Sequence, residues 1–412
     1  MSASPYCGTP PYVELHCHSA YSFLDGVSLP HELVQRAGEL GHTALALTDH
    51  NSLSGAMELA QAAADSDVRA IHGAEIDVAL GTPRTGEDGD AGSVTGGVRG
   101  AGGTTRHLTL LVRDARGWSN LCRIITLAHA HTRDSTARRE RSEPWVDLQA
   151  VTDHAEGLVC LTGCAERSVI GRGSDDDPAA RRLLDAFGRE GLYVELQRPY
   201  ARHDRACNRA LAAQARRLGV RCVATGDVHA HTRARAELQD AFVALAHHAT
   251  LDASEPQRRG NHTHVMSTPP AMASRFDDHP EAVRETLALA EQLRFDLTTD
   301  LGYRYPGAED EGSTRRLAEL CRARLDERYG SDCVPAPARA RGDYAEAHAR
   351  LQEELRVIEQ LGLAGFFLLH HDMLELAREV AAEVRGSGDS PRSLLAPGRG
   401  RGSSVSSIVC YL

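Results

Sequence analysis

The sequence predicts an α/β fold: a distorted barrel of seven β/α units, (β/α)7, followed by a mostly helical segment. Three observations predict it. Short apolar runs of strand length alternate with helical patterns, and seven such runs lie between Tyr12 and Thr225; the rhythm reads as parallel β/α units and, at that number, as a closed barrel rather than an open sheet. Histidines and acids recur at the ends of these runs, where β/α barrels gather their reactive groups. After about Leu301 the strand signal stops and only helical patterns follow.

In the first run Val13, Leu15 and Cys17 alternate with Glu14, His16 and His18, so the apolar set shares one face of a strand and His16 and His18 share the other. Asp25 follows in a loop ending at Gly26. Pro30 opens a helix with inner face Leu33, Val34, Ala37 and Leu40, stopped by Gly41. Thr43 to Thr48 is nearly all apolar, as in a strand covered on both faces, and Asp49-His50 comes straight after it. A helix around Met57, Leu59, Ala60 and Ala63 leads to a strand near Val68–Ile71, then Gly73-Ala74-Glu75 and an extended Ile76–Leu80. Gly81–Thr105 is Gly-, Thr- and Asp-rich without apolar periodicity and reads as a flexible insertion. His107 opens the next strand, Leu108–Val112, and the helix after it carries Trp118, Leu121, Cys122, Ile125 and Leu127. Arg133–Arg141 reads as a basic, solvated loop. Further strands run Leu158–Thr162, ending in Gly163-Cys164, then Leu192–Leu196, then Val220–Thr225, which leads into Gly226-Asp227-Val228-His229. Helical patterns follow at 313–329, 344–361 and 372–384. A polar link, Arg385–Arg392, precedes the Gly/Ser run 398–407, and the chain stops at Leu412 inside an apolar run, which reads as a truncation. The expected domains are a barrel over 1–300, with 81–105 inserted, a helical connection over 301–385 and a Gly/Ser-rich segment over 386–412.

A net charge of −11 argues against an overall basic nucleic-acid surface and leaves a metal-lined or locally Arg-rich groove for a polyanion. All 46 basic residues are Arg, so Schiff-base chemistry and a Walker-type phosphate lysine are excluded. Ten scattered cysteines without a C-x-x-C pair fit a reducing cytoplasm. No run of about twenty apolar residues could span a membrane, and the N-terminus lacks a secretion leader.

The chemistry sits in nine candidates: His16, His18, Asp25, His50, Glu75, His107, Cys164, Asp227 and His229. Any one of them has a dull explanation, since a strand-end histidine is more often a hydrogen-bonded surface residue and a cysteine a buried thiol. Nine at rim positions form a set, and Asp227-Val228-His229 repeats the spacing of His16-Cys17-His18. His107 alone opens its strand instead of ending it. Glu14 and Asp49 read as supporting partners or caps. Imidazole and carboxylate with one thiolate suit Zn²⁺ or Mn²⁺ better than Mg²⁺ or Ca²⁺, and the number of donors implies two or three ions. Clustered divalent ions hydrolyse phosphoesters by activating water and neutralising the attacking and leaving oxygens.

Glu14-Leu15-His16-Cys17-His18-Ser19, Thr48-Asp49-His50, Gly73-Ala74-Glu75, Thr162-Gly163-Cys164 and Asp227-Val228-His229 resemble the PHP (polymerase and histidinol phosphatase) domain of bacterial C-family DNA polymerases, the alpha-subunit type. Ser22-Phe23-Leu24-Asp25-Gly26 and Tyr344 to Gly362, leading to Phe366-Phe367-Leu368, are most similar to the error-prone branch. The resemblance implies a PHP barrel with a trinuclear centre held by the nine candidates, 3′→5′ exonuclease activity, and a polymerase palm beginning at the C-terminus. There, Gly400, Arg401, Gly402, Ser403, Ser404 and Ser407 resemble the palm's nucleotide-binding motif, although read without the family a Gly/Ser/Arg run is as well a flexible linker. DNA primer-template, dNTP and a sliding clamp or other polymerase subunits are the implied partners, and Mg²⁺ the ion of a polymerase site whose aspartates are absent from this sequence. A histidinol-phosphatase-like small-molecule phosphatase and a non-catalytic, metal-stabilised scaffold stand as alternatives.

Overall fold

A computed structural model describes residues 12–80, 99–100, 103–133, 143–163, 168–170, 177–260, 262–302, 312–329, 339–385, 402 and 406–412. The chain divides into two compact units, Met1–Leu301 and Gly302–Leu412.

The first unit contains strands β1 (Ala44–Leu47), β2 (Arg69–Ala79), β3 (Arg99–Gly100), β4 (Gly103–Val112), β5 (Val146–Asp147), β6 (Leu158–Leu161), β7 (Leu192–Gln197) and β8 (Arg221–Thr225). Its helices are α1 (Pro30–Leu40), α2 (Ala56–Ala64), α3 (Ala115–His129), α4 (Leu148–Asp153), α5 (Pro178–Gly191), α6 (Asp204–Leu218), α7 (Ala236–Ala246), α8 (Pro269–Arg275) and α9 (Pro280–Ala290). The sheet runs β1-β2-β4-β6-β7-β8. The segment around Glu14 to His18 joins its two ends: Glu14 bridges Leu45 of β1, and Cys17 bridges Val228 just beyond β8. With that segment the circle has seven members, as the sequence predicts.

One member departs from the all-parallel expectation. β4 pairs antiparallel with both β2 and β6, while β1–β2, β6–β7 and β7–β8 are parallel. The start of β4 therefore lies at the rim where the other strands end, which is why His107 precedes its apolar run and still reaches the site. The period-2 expectation at the N-terminus also fails in part. Val13 and Leu15 pack with Ala46, Ile71, Tyr193 and Val223, whereas Cys17 packs with Leu33, Val34 and Leu45. Isolated bridges at Glu14 and Cys17 replace a regular ladder, and the change of phase lets both Leu15 and His16 face inward.

Residues 99–100 and 103–105, expected inside a flexible insertion, are paired instead: β3 folds back on β4, and Thr105 pairs with Ala79. The predicted separate strands at 68–71 and 76–80 are one strand, β2, because the Gly73-Ala74-Glu75 step stays extended. In α3 the buried face holds Leu121 and Ile124, not Ile125, and Leu127 is exposed. The remainder of 81–105, and residues 134–141 of the basic loop, lie outside the described residues.

Capping follows the sequence. Pro30 starts α1, the Glu32 carboxylate accepts from the Leu29 amide, and Gly41 ends the helix at φ 83°. The barrel interior is apolar below, around Leu15, Ile71, Leu111, Leu161 and Tyr193, with Leu289 and Leu293 packed against it. Above lie Thr109, Glu195, Gln197 and Thr225, all buried.

The second unit is helical: α10 (Ser313–Tyr329), α11 (Arg339–Gln360), α12 (Ala364–Arg385) and the short α13 (Ile408–Tyr411). Its core joins Leu317, Cys321, Leu325, Leu351, Ile358, Leu368, Ile408 and Val409. α12 begins at Ala364, ahead of the expected 372, because Leu368 belongs to that core.

Candidate metal centre

Eight of the nine predicted ligands converge on one pocket; Cys164 lies outside the described residues. Glu75, buried in β2, is the hub. Its Oε2 lies 3.3 Å from His16 Nε2, 3.2 Å from His18 Nε2 and 3.3 Å from His50 Nδ1, and its Oε1 pairs with His107 Nδ1. Asp25 Oδ2 is a second hub, 2.9 Å from His50 Nε2 and 3.0 Å from His229 Nε2. Asp227 Oδ1 lies 3.6 Å from His18 Nε2 and 3.5 Å from His229 Nδ1.

Supporting hydrogen bonds fix the imidazoles. A carboxylate can only accept, so His16 Nδ1–H donates to Glu195 Oε1 at 2.6 Å and Nε2 is the ring atom that faces the pocket. The Ser22 hydroxyl donates to Asp49 Oδ1 at 2.7 Å, so Ser22 Oγ accepts from His18 Nδ1–H at 3.2 Å. His18 Nε2 is therefore the ring atom that points inward, 3.0 Å from His16 Nε2. His229 lies with Nδ1 2.9 Å from the Asp227 carbonyl and Nε2 3.0 Å from Asp25 Oδ2, two acceptors of which a neutral ring can satisfy only one. Ring nitrogens and carboxylate oxygens facing one another at hydrogen-bond distance, inside a barrel, repel unless protons or cations lie among them. The donor set thus fits divalent ions with nitrogen and oxygen preference, as the sequence predicts.

Without an ion, burial disfavours the His16 imidazolium, but Glu195 and Glu75 outweigh it and hold its pKa well above the ordinary histidine value, so a proton shared with Glu75 takes the place of a cation. Burial also opposes ionisation of Asp25, Asp227 and Glu75, yet Arg259 with His229 around the first two, and His107 with His50 around the third, hold all three carboxyls well below the usual range. Burial and the Arg259 guanidinium push His229 down to about 4.

Tight local backbone delivers the ligands. Asp49, at the end of β1, accepts from the Ser19 amide at 2.6 Å, the Ser19 hydroxyl at 2.8 Å and Ser22, so it pins the loop that carries Asp25. Leu24 and Asp227 adopt φ 64° and 49°, a region that costs a non-glycine residue about 1 kcal/mol or more. Glu14 accepts from Tyr12 Oη at 2.6 Å, the Gly226 amide at 3.0 Å and the His16 amide at 3.0 Å, tying the first segment to β8; burial raises its carboxyl to about 7.

Four residues of the site were not singled out in the sequence. Glu195 left a signal, an acid in the middle of the buried run Leu192–Gln197. Asp77, 3.0 Å from His107 Nε2, follows Glu75 by one pleat. His264, 3.2 Å from Asp227 Oδ2, and Arg259, 3.0 Å from Asp25 Oδ2, lie in loops whose approach no local pattern announces. Of the predicted nucleotide motif only Gly402 and Ser407 are described; Gly400, Arg401, Ser403 and Ser404 lie outside the described residues. The Ser407 hydroxyl donates to Glu354 Oε2 at 2.7 Å and accepts from the Cys410 amide, capping α13.

Comparison with known proteins places this geometry. Residues 14–199 match the family described as PHP domain, and residues 315–412 match the bacterial DNA polymerase III alpha NTPase domain. The chain is 36% identical over 412 residues to an error-prone DNA polymerase of Mycolicibacterium paratuberculosis, covering 97% of this chain and 34% of that one. It is 31% identical over 402 residues to that of Symbiobacterium thermophilum, covering 93% of this chain and 34% of that one. The chain thus spans about a third of the length of the curated relatives it matches. Among solved structures, an amidohydrolase from Chromobacterium violaceum aligns over 53% of this chain and 87% of that one, at 20% identity and a TM-score of 0.33.

Proposed function

Because this chain belongs to the PHP-domain-bearing bacterial C-family DNA polymerases of the alpha-subunit type, we propose that its barrel is a metal-dependent phosphodiesterase that removes nucleotides from DNA 3′ ends. The observation that carries this reading is the convergence of the inward-facing Nε2 atoms of His16, His18 and His229 on the carboxylates of Glu75, Asp25 and Asp227. His16, His18, Asp25, His50, Glu75, His107, Cys164, Asp227 and His229 would hold two or three Zn²⁺ or Mn²⁺ ions. When bound, the ions would supply Lewis acidity toward the phosphodiester and lower the pKa of water toward neutrality. The chain's own residues orient and insulate. Glu195 and Ser22 fix the tautomers of His16 and His18, Asp49 holds the Asp25 loop, and the apolar floor around Tyr193 and Leu161 excludes water from below. No side-chain nucleophile is required.

The test is a 3′-labelled primer-template incubated with the chain and Mn²⁺. Release of labelled mononucleotide is expected, with a fall of roughly 100-fold or more in His16→Ala, the order expected when a ligand and its hydrogen-bond partner are both disrupted. Turnover of histidinol phosphate without DNA would instead favour a small-molecule phosphatase, and bound metal without turnover of either a scaffold.

For the whole protein we propose an error-prone DNA-directed DNA polymerase of DNA replication and repair, in the cytoplasm, using primer-template, dNTP and Mg²⁺ and docking a sliding clamp or other polymerase subunits. The relatives' names and the match over 315–412 support it. Gly400 to Ser407 would begin the nucleotide-binding part of that palm. Among the described residues no helix is long and apolar enough to cross a membrane.

A further inference from the structure

Arg259 reaches into the centre from the loop after α7 and takes hold of the oxygens that an ion would need. Its Nη2 lies 3.0 Å from Asp25 Oδ2 and 3.2 Å from Oδ1, its Nε 3.4 Å from Asp25 Oδ1, and its Nη1 3.4 Å from Asp227 Oδ2. Asp25 Oδ2 therefore has three nitrogen neighbours, of which only Arg259 carries an obligatory positive charge. His229 has one ring proton for two acceptors, Asp25 Oδ2 and the Asp227 carbonyl, so the guanidinium is the fixed charge that reconciles this half of the centre.

A divalent ion held by Asp25, His50 and His229 would lie a few ångströms from the guanidinium and compete for the same carboxylate lone pairs. Arg259 also lines a shallow surface cleft together with Gln239, Asp240, His262 and His264, which puts a second carboxylate on the same side of the loop. Asp240 there is held only loosely, its Oδ2 3.3 Å from Arg258 Nη1 and 3.9 Å from His262 Nε2.

We propose that Arg259 is an internal competitor for the divalent ions: it neutralises Asp25 and Asp227 in the metal-free centre and, on loading, swings to Asp240 in the adjoining cleft, so that this exchange sets metal affinity. The inference rests on the metal-centre reading above. It gives Arg259 two roles with opposite signs, stabilising the metal-free barrel and weakening metal binding.

The experiment is calorimetric titration of the full chain with Mn²⁺, together with thermal unfolding of the metal-free protein. Arg259→Gln is expected to bind Mn²⁺ at least fivefold more tightly while its metal-free form unfolds at a lower temperature; Arg259→Lys, which keeps the charge, is expected to stay nearer the wild type in both. Asp240→Asn, outside the centre, is expected to weaken Mn²⁺ binding severalfold because the displaced guanidinium loses its acceptor, and it serves as the deciding variant where Arg259→Gln does not fold without metal. Unchanged or weaker Mn²⁺ binding in a folded Arg259→Gln, or unchanged binding in Asp240→Asn, would overturn the competition. Absence of Mn²⁺ and Zn²⁺ binding in the wild type and in Arg259→Gln alike would overturn the metal-centre reading and the competition with it.

Discussion

His72 precedes Glu75 by three residues on β2 and so faces the helices, not the pocket. It packs edge-on to Trp118 and Phe295, is 2% exposed, and neither ring nitrogen has a hydrogen-bond partner among the described residues. Burial depresses its pKa from 6.5 to about 4. The unfolded chain therefore binds the proton more readily than the native barrel, and stability that is full above pH 6.5 is lost as the pH falls toward 4. A shift of that size corresponds to about 3 kcal/mol. His72→Leu keeps an apolar filler and removes two unsatisfied nitrogens; it is expected to be neutral or stabilising at pH 7 and to recover about 2 kcal/mol at pH 5, read from denaturant melts at the two pH values. Equal losses on acidification in both proteins would refute the assignment. The contrast with Glu75 shows what sequence can and cannot disclose about a site. His16 and His18 were legible from their alternation with apolar residues, His50, Glu75, His107, Asp227 and His229 from their place beside apolar runs, and Asp25 from the loop that follows the first of them. Arg259 and His264 come from loops without periodicity, and only the closed chain brings them to Asp25 and Asp227.

The loop from Ser19 to Gly26 is the element most exposed to a small error. A Cβ on Gly26 would lie 2.0 Å from the Ser19 carbonyl oxygen, a backbone atom that cannot swing aside. Ser19 is itself clamped by Asp49, and Asp25 is the next residue back along the chain. Gly26→Ala is thus expected to force the loop off its Asp49 anchor, carrying Asp25 away from His50 and His229. Mn²⁺ affinity should fall by roughly tenfold or more, in the range found when ligand-supporting contacts are lost, while the helices persist by circular dichroism. An unaltered dissociation constant would show that the loop has slack the geometry does not suggest. At this scale the sequence located the apolar strands and the helices α1 to α3 and α10 to α12, since strand-length apolar runs and helix caps are local signals, and left α4 to α9 unassigned. It did not disclose the reversed direction of β4 or the change of phase between Leu15 and Cys17. Both arise from pairing between segments far apart in the chain, and an apolar run reads the same in either direction.

At the scale of the whole molecule, the barrel unit and the helical unit each have their own apolar core, one around the seven-membered circle and one around Leu317, Leu325, Leu351 and Leu368. The candidate ligands all belong to the first. A ligand stabilises only the structure that binds it, by about 2.7 kcal/mol at a hundredfold excess over its dissociation constant. Both tryptophans, Trp118 and Trp145, also belong to the first unit, so tryptophan fluorescence reports the barrel alone while far-ultraviolet circular dichroism reports both units. Heating with and without Mn²⁺ should then shift the fluorescence transition upward by roughly 5 °C, the size such a free energy produces in a large domain. The dichroism should split into a component that moves with the fluorescence and one, from α10 to α13, that does not. A single transition moving as one by both probes would mean that the two units unfold cooperatively, and a fluorescence transition indifferent to Mn²⁺ would remove the ions from the barrel's stability altogether.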